Sequence, residues 1–395
     1  MDKKNKNPNV PNLRFPQFIK PWNNYKVSDL LNTFPTNSLS WDQLAYNQDS
    51  SLKNLHYGLI HNGFQTTCIT GKDKLFPYIN QLVIPLKYTL IQNGDLILAD
   101  ASEDRKDVGR PVEMLDIGDQ KIVSGLHTIH AKNKTNLIVD GFKGFYFQSS
   151  AMKQQIYKIA NGSKIYGISS SSFNELKMLV PEKQEQKKIV DLMIKIEEKI
   201  LTQIKIINDL KAQNNYIIHS IFSKLNSKLV LITDIAEIYQ PQTISSANFD
   251  ESAEFPVFGA NGIIGYYEKY NHENEQICIA CRGASVGTIN LSKKKSWITG
   301  NSMVINSDNY DDIIDKKFLY YQLIFIDFNK YISGSGQPQI TRESLKNLKI
   351  KVPSLEAQQL ISNILNHIDL KITIELKLLC QYQLQKAFLL KNMFV

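Results

Sequence analysis

One stretch of the chain occurs twice, and this repeat limits the possible folds more than any other feature. The segment around residues 161–190 aligns without a gap on the segment around residues 334–361, at the constant offset of 172 residues that separates Pro181 from Pro353. In both copies a Gly/Ser-rich loop leads through Ser or Thr and an alternating apolar run to the Pro, and a helical pattern follows. A repeat of this kind predicts two structural units built alike.

The apolar match continues through the region that follows each Pro. It predicts one helix from Pro181 to Phe222 and a second from Pro353 to Phe394, each about 42 residues or roughly 63 Å long. The residues predicted to hold the helices together are Ile189, Ile196, Ile200, Ile204 and Ile207 in the first and Ile361, Ile368, Ile372, Leu376 and Leu379 in the second. So long an apolar stripe needs a partner, and two copies related by an internal two-fold axis would pair antiparallel. The alternative is that each helix packs only on its own domain.

A region of mixed character precedes each helix, at about residues 15–165 and 229–340. Strand-like runs are QLVIPL, TLIQNGDLILA and NLIVDGF in the first region, and FPVFGANGIIGYY, QICIACRG and SMVIN in the second. A weaker echo places Ala99 over Ala280 and Gly125 over Gly300. The expected fold class is α/β, with two pseudo-symmetric domains joined by two long antiparallel helices that act as a coiled-coil-like spacer.

This organisation predicts four segments along the chain. They are a first domain at 1–168, a junction and long helix at 169–226, a second domain at 227–340, and a second junction and helix at 341–395.

The composition is that of a globular protein with a basic surface. The chain has 395 residues, 43% hydrophobic and 21% charged, with a formal net charge of +8. Its length alone suggests two or three domains. The positive charge favours a polyanionic partner without proving one, because Lys-rich composition also arises with no nucleic-acid role.

The four cysteines do not form a metal motif. Cys278 and Cys281 are close in sequence, but no second ligand pair follows at zinc-site spacing, and Cys68 and Cys380 are isolated. Because Cys278 and Cys281 lie in an apolar run, we interpret them as core residues. Scattered thiols and a polar N-terminus without an apolar signal region lead us to expect a cytoplasmic protein with no membrane span.

We find no catalytic motif. The chain has no GxxxxGK[ST] phosphate loop, no HExxH and no GxSxG, and GASVGT lacks the Lys of a phosphate loop. His127 and His130 form the closest pair of histidines, but in a strand the two would point to opposite faces. An acidic nuclease-like site at residues 102–107 is a weaker interpretation than an exposed charged loop. We therefore expect neither an enzyme nor a metal site.

The repeated junction resembles that of the specificity subunits of type I restriction-modification systems. The two copies read Ser169, Leu176, Pro181, Glu185-Gln186 and Ile189, then Thr341, Leu348, Pro353, Gln358 and Ile361. The segments at 14–30 and 229–241, FPVFGANGIIGYY, and IACRGASVGTI followed by TGNSMVI are also similar to that family, so the resemblance covers nearly the whole chain. Ala357 departs from the family pattern where the first copy has Glu185, and Ser169 replaces the usual Thr.

The resemblance implies a non-catalytic subunit that reads double-stranded DNA. Each recognition domain would bind one half of a bipartite, asymmetric site, and the helices would fix the gap between the halves. The helices would also dock two modification (methyltransferase) subunits and, through the complex, the restriction (translocase-nuclease) subunits. No cofactor is expected on this chain, whereas S-adenosylmethionine, ATP and Mg are expected on its partners.

The candidate DNA-contacting residues lie in polar loops that follow the strand-like runs. In the first domain they are Arg105, Lys106, Arg110 and His127, and in the second Arg282, Ser285, Lys293, Lys294, Lys295, Asn301 and Ser302. The simpler interpretation of the Lys triplet is a solvated hairpin turn.

Two alternative functions remain open at this stage. One is a specificity subunit whose partner fuses methylation and cleavage in a single chain. The other, of a different class, is a coiled-coil interaction scaffold with no DNA role, which leaves the two domains with divergent loops unexplained. The target bases are not predictable from the sequence.

Overall fold

The computed structural model describes residues 9–47, 50–64, 66–69, 76–334 and 338–395, so the middle of the second Gly/Ser loop lies outside the described residues. Contacts divide the chain into two compact units. Unit 1 comprises the residues up to Ile204 together with Lys377–Val395, and unit 2 is Lys205–Leu376. The division falls inside both long helices, and the four-segment division stays a prediction.

Unit 1 contains two sheets and two short strand pairs. Its strands are Asn23–Lys26 (β1), Leu31–Phe34 (β2), Leu44–Ala45 (β3), Leu52–Leu55 (β4), Cys68–Ile69 (β5), Tyr78–Ile79 (β6), Leu96–Ala99 (β7), Ala101–Ser102 (β8), Pro111–Met114 (β9), Lys121–Ser124 (β10), Thr128–Asn133 (β11), Tyr166–Gly167 (β12) and Lys177–Val180 (β13). Its helices are Val27–Leu30 (α1), Phe142–Gln148 (α2), Ser150–Ile159 (α3), Ser170–Asn174 (α4) and the start of Lys183–Lys224 (α5). The sheets run β2-β11-β7-β9-β5 and β10-β4-β6-β3, and β1 pairs with β13.

Unit 2 repeats the centre of this arrangement. Its strands are Lys228–Leu231 (β14), Glu237–Tyr239 (β15), Phe255–Gly259 (β16), Gly262–Tyr267 (β17), Ile277–Ala280 (β18), Ile289–Leu291 (β19), Trp297–Ile298 (β20), Ser302–Asn306 (β21) and Lys349–Val352 (β22). Its helices are Lys316–Phe325 (α6), Arg342–Leu345 (α7) and the start of Leu355–Asn392 (α8). The order β15-β21-β18-β19 corresponds to β2-β11-β7-β9, and the pair β14-β22 to β1-β13.

The two long helices are confirmed, and each begins two residues after its Pro. Inside unit 1 they are antiparallel. Lys199 lies against the Tyr382 ring (5.5 Å to its centroid), and the Glu197 carboxylate is 2.6 Å from Lys386 Nζ, so the chain numbers fall on one helix as they rise on the other. In unit 2 the Asn214 amide donates to Asp369 of the other helix at 2.9 Å.

The predicted helix-pairing residues differ in burial. Ile189, Ile196, Ile200, Ile207 and Ile372 are buried, and Ile204, Ile361, Ile368 and Leu379 are half-buried. Leu376 is 43% exposed, so the helix pair leaves it largely uncovered, and its role in pairing or partner docking stays a prediction. A spacing of three and four residues identifies the apolar face of a helix, but it does not show how much of that face a partner helix covers.

In each unit, one buried glutamine joins the domain to the long helix. In unit 1 the Gln186 side chain accepts a hydrogen bond from Val139 N (2.9 Å) and donates to the carbonyl oxygens of Leu137 and Pro181 (both 2.8 Å). These bonds tie a loop of the domain, the residue before the helix and the helix itself together. The side-chain oxygen and nitrogen of Gln186 therefore both bond to backbone groups.

Gln358 repeats this arrangement in unit 2. Its side chain accepts from Asp315 N (2.8 Å) and donates to the carbonyl oxygens of Ile313 and Pro353 (both 3.0 Å). The repeated junction therefore preserves one tertiary interaction, which we call the glutamine clamp. The helix that precedes the strand is also capped alike, since Ser169 Oγ accepts from Ser172 N at 3.1 Å and Thr341 Oγ1 accepts from Ser344 N at 3.2 Å.

Two predicted strands are wrong. The NLIVDGF run is a turn, because the Gln186 clamp takes the backbone groups of Leu137 and Val139 that a neighbouring strand would need. The QLVIPL run begins with a short 3₁₀ turn at Gln81–Val83 and leaves Leu82 and Leu86 exposed, since Pro85 offers no N–H to a ladder. The predicted second-domain strands are present.

Replacing a clamp glutamine by Ala should destabilise its unit. Gln186→Ala or Gln358→Ala leaves buried backbone groups unsatisfied, so we expect the free energy of unfolding to fall by about 2–3 kcal/mol. Urea unfolding measures the effect. The matched controls are Gln184→Ala and Gln359→Ala, exposed glutamines on the same turns, and equal midpoints for clamp and control variants would contradict the assignment.

Candidate nucleic-acid interface

The predicted loops of unit 1 meet at one end of its main sheet. Strand β7 ends at Ala99, directly opposite Thr128, where the antiparallel strand β11 begins. The loop at residues 100–110 and the turn that contains His127 therefore leave the sheet at the same end.

Backbone hydrogen bonds fix these loops to one another. Asp100 N donates to His127 O at 3.0 Å, and Asp100 O accepts from Ile168 N, at the junction, at 2.9 Å. Gly109 N closes the long loop by donating to Ala99 O at 2.8 Å, with a left-handed φ of 75° that favours glycine. The three segments form one frame.

Unit 2 has the same frame with other residues. Cys281 N donates to Asn301 O at 3.1 Å, Cys281 O accepts from Ile340 N at 3.0 Å, and Gly287 N donates to Ala280 O at 2.9 Å, again with a left-handed φ of 89°. The equivalent pairs are Ala99 and Ala280, Asp100 and Cys281, Gly109 and Gly287, His127 and Asn301, and Ile168 and Ile340. The weak sequence similarity that places Ala99 over Ala280 thus corresponds to a structural repeat.

The second echo, Gly125 and Gly300, marks a close approach of the chain. A Cβ on Gly125 would lie 2.6 Å from Asn54 Nδ2, and one on Gly300 would lie 2.5 Å from Thr243 Oγ1. Both glycines let a neighbouring segment pass directly beneath the turn that precedes His127 or Asn301.

The basic candidates of unit 1 have different surroundings. The Arg105 guanidinium lies 4.4 Å from the centre of the Tyr157 ring, and Arg110 Nη1 donates to His61 O at 2.7 Å. These two arginines brace the loop. Lys106 is exposed, and its ammonium group has no partner in the described part of the chain. Its charge is the one most available to a phosphate.

His127 lies in a turn and not in the strand, which corrects the expectation that it and His130 share a strand. It has a left-handed φ of 53°, its side chain is 50% exposed, and its Nδ1 is 3.3 Å from Asp100 Oδ1. His130 is fully buried, with Nε2 2.8 Å from Asp95 Oδ2. His130 is therefore a core residue.

The candidates of unit 2 separate into accessible and buried side chains. Arg282 and Asn301 are exposed, and neither side chain has a hydrogen-bonding partner among the described residues. Ser285 is half-buried. Ser302 is fully buried, and its hydroxyl donates to Gly259 O at 3.1 Å. Ser302 is therefore not retained as a DNA-contacting candidate.

The Lys triplet lies away from these loops. Lys293, Lys294 and Lys295 are exposed and follow Ser292, whose N–H bonds to Gln276 O just before β18 begins. Arg282 comes after the other end of the four-residue strand. At about 3.3 Å per residue this separates the two groups by about 13 Å along the strand.

A cleft of about 560 Å³ opens beside the unit 1 frame. It is lined by Trp41, Tyr57, Gly58, His61, Asn62, Ala101, Ser102, Glu103, Asp104, Asp107, His127 and Ile165. Sequence reasoning missed the residues at 41–62, although WDQ and HYGLIHNG concentrate aromatic and imidazole rings there. The rings form a chain, with centroids 4.5 Å apart for Trp41 and His56, 4.6 Å for His56 and Tyr57, and 5.3 Å for Tyr57 and His127.

The environments of two histidines beside this cleft shift their pKa in opposite directions. Burial, together with the nearby His127, lowers the pKa of His56 to about 4. The hydrogen bond that His61 Nδ1 makes to the Asp107 carboxylate at 2.7 Å raises the pKa of His61. His56 is therefore a neutral ring at neutral pH, buried against the Trp41 and Tyr57 rings that line the cleft.

No described residues form a metal site, and the buried thiols are not ligands. Within residues 9–47, 50–64, 66–69, 76–334 and 338–395, no three His, Cys, Asp or Glu side chains are arranged to hold a metal ion. Cys278 and Cys281 are buried, and burial raises the pKa of Cys278 to about 12. In the same part of the chain, no helix has the length and apolar character that crossing a bilayer requires.

His56 should make stability depend on pH. Its folded pKa of about 4 lies below its ordinary 6.5, so the unfolded chain takes up a proton first as pH falls, and the folded state loses stability between pH 6.5 and 4. His56→Asn should make the free energy of unfolding depend less steeply on pH in this window. Urea unfolding at several pH values measures the difference, and a His56 ring that titrates near 6.5 by NMR would contradict it.

The sequence of unit 2 matches a known family. Residues 225–381 match the profile described as the type I restriction modification DNA specificity domain. The chain is 30% identical over 167 residues to the specificity subunit of the type I restriction enzyme EcoprrI of Escherichia coli, which covers 40% of this chain and 41% of that protein. It is also 30% identical over 118 residues to a putative specificity subunit of Haemophilus influenzae, covering 29% and 30%. These matches span less than half of either relative.

Solved structures resemble the whole chain. A type I restriction-modification S subunit from M. genitalium covers 98% of this chain and 99% of its own length, with a TM-score of 0.62 and 17% identity. A chain from a study of complex assembly and conformational transition in a type I system covers 95% and 98%, with a TM-score of 0.57 and 15% identity. At these identities the likeness establishes the fold.

Proposed function

We propose that the chain is a specificity subunit of a type I restriction-modification system and that it reads a bipartite, asymmetric sequence in double-stranded DNA, supported by the family match over residues 225–381 and by the relatives described above. Proteins of this family are non-catalytic components of their complexes. We extend this to the present chain, which selects the site while partner subunits carry out the chemistry in the cytoplasm.

The single observation that carries the proposal is the loop frame built twice with unlike side chains. Each unit fixes three segments with the same backbone hydrogen bonds, yet it presents His127 in one case and Asn301 in the other. A reader with identical surfaces matches a palindrome, because operator symmetry mirrors protein symmetry. Two unlike surfaces on equal frames suit two unlike half-sites.

Exposed cations near the frames supply sequence-independent affinity. Lys106 in unit 1, and Arg282, Lys293 and Lys294 in unit 2, are exposed and lack partners in the described residues. Phosphate neutralisation by such groups releases counterions and gives binding a steep salt dependence. The Lys triplet lies away from the frame, so it contacts the DNA phosphates and not the bases.

The glutamine clamps give the long helices their role. A recognition unit bound to its helix by three buried hydrogen bonds cannot turn independently of that helix. Helices joined in this way fix the gap between half-sites more tightly than a flexible linker would.

An uncovered apolar stripe on α8 in unit 2 suits the modification subunits. Its exposed members are Leu360, Ile364, Leu370 and Ile374. They lie within about 120° of the helix circumference, a sector that they share with exposed His367 and Lys371, and buried Leu365 and Ile372 lie on the opposite side. An apolar stripe of this width favours a protein partner. Two modification subunits would bring S-adenosylmethionine, and the restriction subunits that join the complex would bring ATP and Mg.

Methylation mapping tests the proposal. The chain is co-expressed with the methyltransferase encoded beside it in a host free of DNA methylation, and methylated bases are mapped across the genome. We expect one motif with two short, unlike halves and a fixed gap. A purified complex that methylates no defined motif would contradict the proposal.

The same experiment separates the alternatives. A scaffold with no DNA role predicts no salt-dependent DNA binding by the purified complex. A partner that fuses methyltransferase and nuclease would be recognised from its own gene, and it leaves the reading role of this chain unchanged.

The stripe has its own test. Ile374→Asp puts a charge in the middle of the exposed stripe, so co-purification with the methyltransferase should weaken by more than about tenfold. The fold should tolerate the change because Ile374 is exposed. Thr373→Asp, exposed on the neighbouring side of the helix, is the matched control, and equal retention by both variants would contradict docking at the stripe.

A further inference from the structure

His127 and Asn301 differ from the residues on either side of them in the loop frame. Both side chains are exposed, whereas the next residue in each unit, Thr128 or Ser302, is buried. The sequence predicted His127, Asn301 and Ser302 alike as DNA-contacting candidates. Of the two residues compared in each unit, the structure leaves only the first accessible.

The backbone at this position is fixed from both sides. Upstream, Gly125 or Gly300 lies against a crossing segment with no room for a side chain. At the position itself, His127 O and Asn301 O each accept the N–H of the residue that follows the central strand, Asp100 or Cys281.

Downstream, a buried hydroxyl holds the chain. Thr128 Oγ1 donates to Gly125 O at 2.5 Å, and Ser302 Oγ donates to Gly259 O at 3.1 Å. A backbone held at three successive points fixes the direction of the Cα–Cβ bond of the exposed side chain. Base recognition needs this geometry, because functional groups on rigid elements are placed more accurately than groups on free loops.

The Asn301 amide has an unused donor and an unused acceptor. Its side chain makes no hydrogen bond in the described part of the chain, whereas its backbone oxygen is occupied. An amide of this kind can bond to adenine N7 and the N6 amino group together in the major groove. Arg282 follows Cys281, the residue that donates to Asn301, so a cation for the adjacent phosphate or guanine lies beside it.

On the basis of the proposed function, we infer that Asn301 reads an adenine in the half-site bound by unit 2, and that His127 is the specificity-determining residue at the same register of unit 1. The Asp100 carboxylate, 3.3 Å from Nδ1, leaves Nε2 of His127 available to the base. Each residue sets the preference at one base pair, and neither affects the other half-site or the gap.

Three variants test this in the intact complex with the methyltransferase. Asn301→Ala should lower discrimination at one A·T pair of one half-site by about 5- to 150-fold, the range of a bidentate amide contact. His127→Asn should change one position of the opposite half-site to adenine. Lys294→Ala removes a cation that contacts DNA phosphates, so it should weaken binding equally for all sequences and reduce the salt dependence of binding.

The readout is the methylation motif together with competition binding by oligonucleotides altered at single positions. The inference is overturned if Asn301→Ala retains the discrimination of the unchanged chain, if no adenine occurs in the affected half, or if the His127 and Asn301 variants alter the same half. If Asn301→Ala does not assemble, Asn301→Ser, with a small polar group at the exposed position, is measured in the same way.

Failure of this inference is distinguishable from failure of the proposed function. If the unchanged complex produces no bipartite motif, the function itself is refuted. If it produces the motif and the Asn301 variants leave every position as selective as before, only the assignment of the reading residue is wrong.

Discussion

The arrangement of each recognition unit depends on a single buried amide. Gln186 and Gln358 each satisfy a domain N–H, a domain carbonyl and the carbonyl of the Pro before the helix. A buried amide in contact with three backbone groups is costly to displace, because any other placement leaves those groups without water or partner. The frame that carries His127 or Asn301 is joined to the junction through Ile168 or Ile340. The direction of the exposed side chain is therefore coupled to the helix through a short series of backbone bonds.

The residue that precedes the clamp glutamine differs between the two copies. Glu185, beside Gln186, pairs with the Arg14 guanidinium through two contacts of 2.7 Å, whereas the equivalent Ala357 makes no ion pair. In unit 1 this ion pair adds to backbone hydrogen bonds of the N-terminal segment, such as Leu13 N to Asn392 O at 2.8 Å, whereas in unit 2 the preceding residues belong to the long helix α5.

Sequence patterns predicted the features of the fold that depend on the local order of residues along the chain. The two helices, their starts after Pro181 and Pro353, and the echo of Ala99 in Ala280 were all accessible, because period and spacing survive without tertiary information. Side-chain surroundings were not. Arg110 looked like a free cation, yet it donates to His61 O, 49 residues away in sequence, and Ser302 is buried beneath Gly259 O. These hydrogen-bonding partners come from segments that are distant in sequence, and the residue type alone does not predict them.

The same frame suggests how one scaffold can serve different target sequences. Hydrogen bonds that fix the loops involve backbone atoms or the hydroxyls of Thr128 and Ser302, and the contact of the His127 ring with the Asp100 carboxylate is additional to them. A substitution there changes the groups offered to a base while the bonds that direct it persist. On the proposed function, residues that hold the fold and residues that select the ligand are thereby separated by a single peptide unit. A reader built in this way can change its target without first losing stability, because the exposed position contributes almost nothing to the core.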